Sequence, residues 1–288
     1  MEFESVDRGW PTETRDGKMN LLTQRDSFVA TSATDRDSMD SAQIYRPGGY
    51  RFIPGVFQYS AGVSAEIGYA IHRINFIQLP NLVDGFAAIA RHLNSLGLPL
   101  QSLCQCELRS PAPFTDEEFL TFNRGYVETL ERWGIIQNGA NPVARSNLCP
   151  RVAPPREPSF FSFSYTVPQS ANLISTFAIA GCGEAPEGKA NYRDHIIRRG
   201  EVSQSALLEK GGFVLNEQSR RLKLLSFDWS QVTAVNVYTV HHLSQQIIDE
   251  IRQRTVATRG LTWYDCRPPV VDIEFEMDCR CVAQERYL

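Results

Sequence analysis

The residues best suited to chemistry in this chain are arginines and carboxylates at matching positions in its two halves. Arg145 and Arg259 are 114 positions apart, and each stands nine residues before a proline that leads into a segment of alternating character. A guanidinium group is planar and permanently charged, so it makes paired hydrogen bonds to a carboxylate. A carboxylate such as Glu274 or Glu276 can take a proton from water and return it. The spacing predicts a site that binds an anion and moves a proton.

The two glutamates belong to a predicted last strand, residues 270–277. Polar and apolar residues alternate strictly there, which places Asp272, Glu274, Glu276 and Asp278 on one face. Such an acidic row is usually a solvated face. In a protein interior these carboxylates would repel one another unless water or arginine side chains contacted them. The second interpretation is therefore a cleft lined by arginines.

Histidines and cysteines give no metal-site pattern. The Cys104-x-Cys106 and Cys279-x-Cys281 pairs lack the CxxC spacing of zinc ribbons, and none of the five histidines pairs at helical zinc spacing. We therefore predict no metal. Cys149, four residues after Arg145, either lines the same cleft or is a small buried apolar residue.

Composition is that of an ordinary globular chain. Its 288 residues contain 29 basic and 33 acidic side chains, giving a net charge of -4, which offers no electrostatic footprint for nucleic acid. No segment resembles a transmembrane span or a secretory signal. Seven cysteines, an odd number, indicate a reducing cytoplasm.

The elements that would position these residues repeat as well. In the first half, candidate strands cover 52–61, 69–77, 103–108 and 159–166, with helices ending near Gly97 and Gly134. Thr115 and Glu118 have the form of a capping box for the second helix. In the second half, strands at 177–181, 232–240 and 270–277 alternate with two helical stripes. Each half reads β-β-α-β-α-β, which predicts an α+β fold with two helices on one face of a mixed sheet.

This reading divides the chain into three parts. Residues 1–44 lack a hydrophobic period and are predicted to be a tail or arm. Residues 45–168 and 169–288 are predicted to be two tandem domains of one type. A polar and aromatic loop at 191–195 is predicted either to cover a cleft or to lie on the surface.

Several of these segments resemble a known family. The segment Pro142 to Ser146, the strand 230–239 and the terminal Ile273 to Glu276 are similar to those of the RidA (YjgF-type) imine deaminases. The run Asn141 to Asn147 and the tandem length also resemble a narrower group, the 2-aminomuconate or 2-amino-5-chloromuconate deaminases.

The resemblance implies a chorismate-mutase-like fold, a trimer, and sites in clefts between domains that need no cofactor. It implies that Arg145 binds a substrate carboxylate and that Glu274 assists the water that hydrolyses an imine. The position of Glu274 falls on Phe160 in the first half, so only one of the two copies carries the glutamate. Arg259, Glu276, Cys149 and Asn147 are the further candidates for substrate binding.

The expected activity is hydrolytic removal of ammonia from a 2-aminomuconate-type enamine, a small dicarboxylate. A chorismatase-like hydrolase is the alternative within enzymes, because chorismatases also use two such domains. A non-catalytic module that binds small carboxylates is the alternative of another class.

Overall fold

The protein is described by a computed structural model that covers residues 41–170, 174–255 and 259–288. The four helices are α1 (Leu82–Ser95), α2 (Asp116–Arg132), α3 (Gln204–Leu224) and α4 (Gln245–Thr255) within these ranges. The strands there are β1 (Gln43–Tyr45), β2 (Tyr50–Ile53), β3 (Gly62–Ala65), β4 (Tyr69–Asn75), β5 (Leu103–Arg109), β6 (Ala144–Pro150), β7 (Ser159–Pro168), β8 (Phe177–Gly183), β9 (Ala234–Tyr238), β10 (Thr262–Tyr264), β11 (Cys266–Arg267), β12 (Glu276–Cys281) and β13 (Gln284–Tyr287).

The strands form two mixed sheets. One has the order β1-β2-β3-β8-β12-β9-β10, and the other has the order β11-β6-β5-β7-β4-β13. The series β4-α1-β5-α2-β6-β7 and β8-α3-β9-α4-β10-β12 repeat one topology, with a parallel pair at β5/β6 and β9/β10. Helices α1 and α2 share a core with the six-stranded sheet, and α3 and α4 share one with the seven-stranded sheet. The predicted α+β class is confirmed.

Hydrogen bonding does not follow the predicted division at residue 168. Strand β3 pairs with β8 of the second repeat, and the C-terminal β13 pairs with β4 of the first. Residues 45–168 and 169–288 therefore mark the sequence repeats and not two separate sheets. Of the predicted tail, residues 1–40 lie outside the described part of the chain, whereas Gln43 and Ile44 already pair with β2.

The helix boundaries follow the sequence signals. Thr115 and Glu118 form the predicted capping box at the start of α2. Gly97 and Gly134 adopt φ values of 66° and 65° just beyond α1 and α2, a conformation that favours glycine. These caps fix the ends of the two helices that pack behind β6.

The last long strand begins later than predicted. Strand β12 starts at Glu276, because the backbone N–H groups of the two residues before it bond a buried carboxylate instead of a neighbouring strand. Glu184 accepts hydrogen bonds from the backbone N–H groups of Glu274 at 2.7 Å and Phe275 at 2.9 Å. Lys210 Nζ, from α3, donates to the same carboxylate at 2.9 Å, and both side chains are 0% exposed. This buried pair sets where β12 enters the sheet.

Replacing Lys210 with Met should lower the free energy of unfolding by about 3 to 5 kcal/mol, because it leaves the Glu184 carboxylate buried without its cation. Urea-induced unfolding measures the loss. The control is Arg132→Met, which breaks a pair exposed by more than 60% on both sides and should cost less than about 1 kcal/mol. Equal losses in the two variants would show that the buried pair does not anchor this segment.

Candidate active site

A small cleft, with about 40 Å³ of water-accessible space, lies where the two sheets meet. Its walls come from β6 on one side and from β8 and β12 on the other. The side chains of Arg145, Asn147 and Glu276 face it, together with Tyr59 and Tyr192.

Arg145 enters this cleft as a buried cation without an anion. The side chain is 2% exposed, and its Nη2 donates to Asn123 Oδ1 of α2 at 2.7 Å. Its Nη1 has no hydrogen-bond partner, and no carboxylate of the described residues lies within ion-pair distance. The rings of Tyr126 and Tyr59 lie 4.8 and 5.1 Å from the guanidinium carbon. Burial lowers the pKa of Arg145. A charge so placed is costly until an anion joins it.

Asn147 supplies a second free donor two residues along β6. Ser110 Oγ donates to Asn147 Oδ1 at 3.0 Å, which fixes the orientation of the amide. Its Nδ2 is buried and has no partner among the described residues. Arg145 and Asn147 therefore present two unused N–H donors to one cleft.

Glu276 forms the opposite wall and is 4% exposed. Its carboxyl group makes no hydrogen bond to any described residue and packs against Gly181, where an added Cβ would lie 2.0 Å from Oε1. Burial raises the pKa of Glu276 well above its usual value, and the charges of Asp278, Glu184 and Glu187 raise it further. This shift favours the neutral, protonated form of the group.

Glu274, the predicted catalytic residue, does not share this cleft. Its carboxylate accepts hydrogen bonds from His241 Nε2 at 2.7 Å and Arg267 Nη1 at 2.9 Å. Glu274 precedes β12, so the strict alternation predicted from the sequence does not extend to it. Arg145 and Glu276 therefore line one cleft, and Glu274 lies outside it.

Arg259 and Cys149 also differ from the prediction. Arg259 is exposed in the turn between α4 and β10, away from the cleft. In the first repeat, Arg145 pairs with Cys106 of β5. In the second repeat, the equivalent pair joins Trp263 to Val237 of β9, so Trp263 and not Arg259 stands at the position of Arg145. Cys149 is buried and does not line the cleft, and burial raises the pKa of its thiol to about 12, with Glu276 adding to the effect.

Two tyrosines complete the cleft, and only one of them was indicated by the sequence analysis. The predicted loop at 191–195 carries Tyr192 onto the cleft, so the interpretation as a cover is the one the geometry fits. Tyr59, which no motif indicated, donates to Glu187 Oε1 at 3.0 Å. Glu187 also pairs with Arg221 of α3 at 3.0 Å. These contacts close the outer end of the site.

Neither a membrane helix nor a metal cluster is found in the part of the chain that the structure describes. No helix there is long and apolar enough to cross a membrane. No three His, Cys, Asp or Glu side chains there are grouped so as to hold a metal ion.

Comparison with known proteins decides the family. The chain matches the model of the family described as 2-aminomuconate deaminase CnbZ over residues 42–286. It belongs to this family. A 2-amino-5-chloromuconate deaminase from Comamonas testosteroni is 45% identical to this family member over 251 residues, covering 87% of the chain and 100% of the relative. The predicted narrower group is confirmed.

The deaminase also has weak likenesses to solved structures. A chorismatase is 11% identical over 77% of each chain with a TM-score of 0.45. The YjgF gene product from E. coli is 13% identical over 41% of this chain and 87% of its own, with a TM-score of 0.27. Scores this low add no argument to the family match.

Replacing Gly181 with Ala should reduce the kcat of the deaminase at least tenfold while the protein stays folded. The added Cβ would occupy the space of Glu276 Oε1 and displace the carboxyl group. Steady-state kinetics and thermal unfolding measure the two effects.

The matched control is Gly212→Ala in α3, where an added Cβ meets nothing within 4 Å. It should leave kcat unchanged and stabilise the helix by up to about 1 kcal/mol. Normal turnover in the Gly181→Ala deaminase would show that activity does not depend on the position of the Glu276 carboxyl group.

Proposed function

We propose that the protein hydrolyses a 2-aminomuconate-type enamine, through its imine, to the 2-oxo acid and ammonia. The observation that carries the proposal is the cleft itself, which is lined both by Arg145, whose Nη1 has no hydrogen-bond partner among the described residues, and by Glu276. Family membership and the 45% identical relative support the same reaction class. The substrate is 2-aminomuconate with or without a 5-chloro substituent.

The binding step follows from the free donors on β6. A muconate carries two carboxylates, and the guanidinium of Arg145 meets one of them with a charge-assisted hydrogen bond. The Asn147 amide adds an N–H donor on the same wall. Binding an anion removes the free-energy cost of an unpaired buried cation. The site therefore selects for carboxylates.

The chemical step follows from the proton on Glu276. The carboxyl group transfers its proton to the terminal carbon of the dienamine, the double bonds shift, and an iminium ion forms at C2. The resulting carboxylate takes a proton from water as the water oxygen bonds to C2. Glu276 then protonates the amine, the C–N bond breaks, and the hydroxyl proton returns to Glu276 as the carbonyl forms. Water is consumed, ammonia leaves, and the acid is regenerated.

The two alternative functions predict different experimental results. A chorismatase-like hydrolase would consume chorismate, and a binding module would bind small carboxylates without releasing ammonia. One assay that follows loss of the aminodienoate absorbance together with ammonia release separates all three. The trimer remains a prediction from the family resemblance, which analytical ultracentrifugation tests.

Replacing Arg145 with Gln should lower kcat/KM for the aminomuconate at least about 100-fold, because a buried charge-assisted contact to the substrate is lost. Arg145→Lys should recover only part of the activity, since an ammonium group cannot form the planar fork. Steady-state kinetics provide the measurement. Arg259→Gln is the control and should stay within twofold of the wild type. A normal kcat/KM in Arg145→Gln would exclude the proposed carboxylate contact.

Glu276→Gln should lower kcat by about 100-fold to 10,000-fold, because the amide can neither donate nor accept the required protons. Binding of muconate, which lacks the amino group, should persist in this variant. Glu274→Gln should retain turnover within a few-fold, since its carboxylate lies outside the cleft. Single-turnover kinetics and calorimetry test both variants. The reverse pattern would return the catalytic role to Glu274.

A further inference from the structure

Asp278 lies two residues after Glu276 on β12, so the two side chains share a face of the strand. It is 2% exposed. Its Oδ2 accepts hydrogen bonds from Ser146 Oγ and from the Tyr238 hydroxyl, each at 2.8 Å. Its Oδ1 accepts one from Asn236 Nδ2 at 2.7 Å. Three donors therefore fix one buried carboxyl group.

The direction of these hydrogen bonds assigns the charge of Asp278. Ser146 Oγ accepts from the backbone N–H of Gly181 at 3.0 Å, so its own hydrogen is free to point at Asp278. With Asn236 also donating, Asp278 acts as an acceptor on both oxygens, which is the bonding of a carboxylate. Burial and then the charge of Glu107 raise the pKa of Asp278 above its usual value, while Arg280 and the donors oppose this rise.

The same hydroxyl links Asp278 to the acid of the cleft. Gly181 donates to Ser146, and the Cα of Gly181 packs against the Glu276 carboxyl group. Asp278, Ser146, Gly181 and Glu276 thus form one connected arrangement that spans β12, β6 and β8.

Other charged and titratable groups face Glu276, but most carry their own counterions. Glu184 is paired with Lys210, and Glu187 with Arg221. On the opposite side, β6 contributes Arg145 and Cys149, and the loop contributes Tyr192. Asp278 forms no ion pair with a lysine or arginine among the residues described, although the charge of Arg280 acts on it, so its direct partners beside Glu276 are neutral donors.

We propose that Asp278 is a positioning residue for the deamination: its fixed negative charge keeps the neighbouring Glu276 in the proton-donating form before substrate binds. The inference rests on the proposed function for its role in turnover. Two adjacent carboxyl groups cannot both ionise readily in a buried site, so the better-solvated or better-bonded one takes the charge. Here the three donors give the charge to Asp278 and leave the proton on Glu276.

The first test needs no activity. Carbon-13 NMR of the full chain with labelled Glu and Asp carboxyl groups, assigned with Glu276→Gln and Asp278→Asn spectra, follows both titrations. Glu276 should be protonated at pH 7, and its signal should also report the titration of Asp278, as coupled sites do. A Glu276 titration in the ordinary carboxyl range, or one that shows no coupling to the titration of Asp278, would overturn the proposal.

The second test is the pH profile of kcat/KM in Asp278→Asn. Activity requires protonated Glu276, so it falls as pH rises through the pKa of that group. Removing the neighbouring charge lowers this pKa, and the basic limb should move to lower pH by about one unit or more. An unmoved limb contradicts the proposal.

Tyr238→Phe is the matched control, because it removes one donor to Asp278 and keeps the charge. Its basic limb should move by less than half as much as that of Asp278→Asn. Equal shifts would assign the effect to packing and overturn the proposal. If Asp278→Asn does not fold, Glu276→Gln and Tyr238→Phe spectra still assign the wild-type NMR titration, which then decides alone. If the protein released no ammonia, the proposed function would be refuted. The NMR titration does not depend on activity and would still test the charge of Asp278 and the proton on Glu276.

Discussion

A buried guanidinium without a carboxylate partner is the constraint on which this structure depends. Arg145 is held between β6 and α2 by one hydrogen bond to Asn123 and by aromatic rings, none of which carries a negative charge. Leaving a cation in this state costs folding free energy, which the rest of the fold must offset. The parallel β5/β6 pair and the capped helix α2 hold Arg145 in place from two sides. The anion that the site lacks is the one that a dicarboxylate substrate brings.

The opposite wall has the complementary arrangement, with more carboxyl groups than cations. Glu184 and Glu187 are each matched to a basic residue of α3, and Asp278 is bonded to three neutral donors. Glu276 receives neither kind of partner. The two walls of the cleft therefore carry an unpaired cation, Arg145, and a carboxyl group whose neutral form is favoured, Glu276. A substrate that needs both a contact to its carboxylate and a proton fits between them.

Much of the fold was predictable from the sequence, but no strand was predicted at β6, which carries Arg145 and Asn147. Hydrophobic periods and caps predicted all four helices, and the Ala144-Arg145-Ser146 motif led to the buried arginine. Alternation alone does not show where a strand begins, and Glu184, 90 residues away in the chain, sets that point, so the structure places Glu274 outside the cleft. The repeat of 114 residues aligns Phe163 with Met277, but the chain from Trp263 to Met277 is shorter than that from Arg145 to Phe163. Trp263 and not Arg259 therefore stands at the position of Arg145. Tyr59 precedes Ser60, which forms a bridge to Ala144 of β6, a long-range contact that no local pattern contains.

The measurement that tests the central claim most directly is calorimetric titration of the wild type and of Arg145→Gln with muconate, an unreactive diacid. The account predicts saturable binding to the wild type that rises in apparent affinity as the ionic strength falls, and at least about a 100-fold weaker affinity in the variant. A hexadienoate with one carboxylate should bind less tightly than muconate to the wild type. Equal affinity of muconate for the two proteins would show that the buried guanidinium is not the anion site, and the account of this cleft would fail.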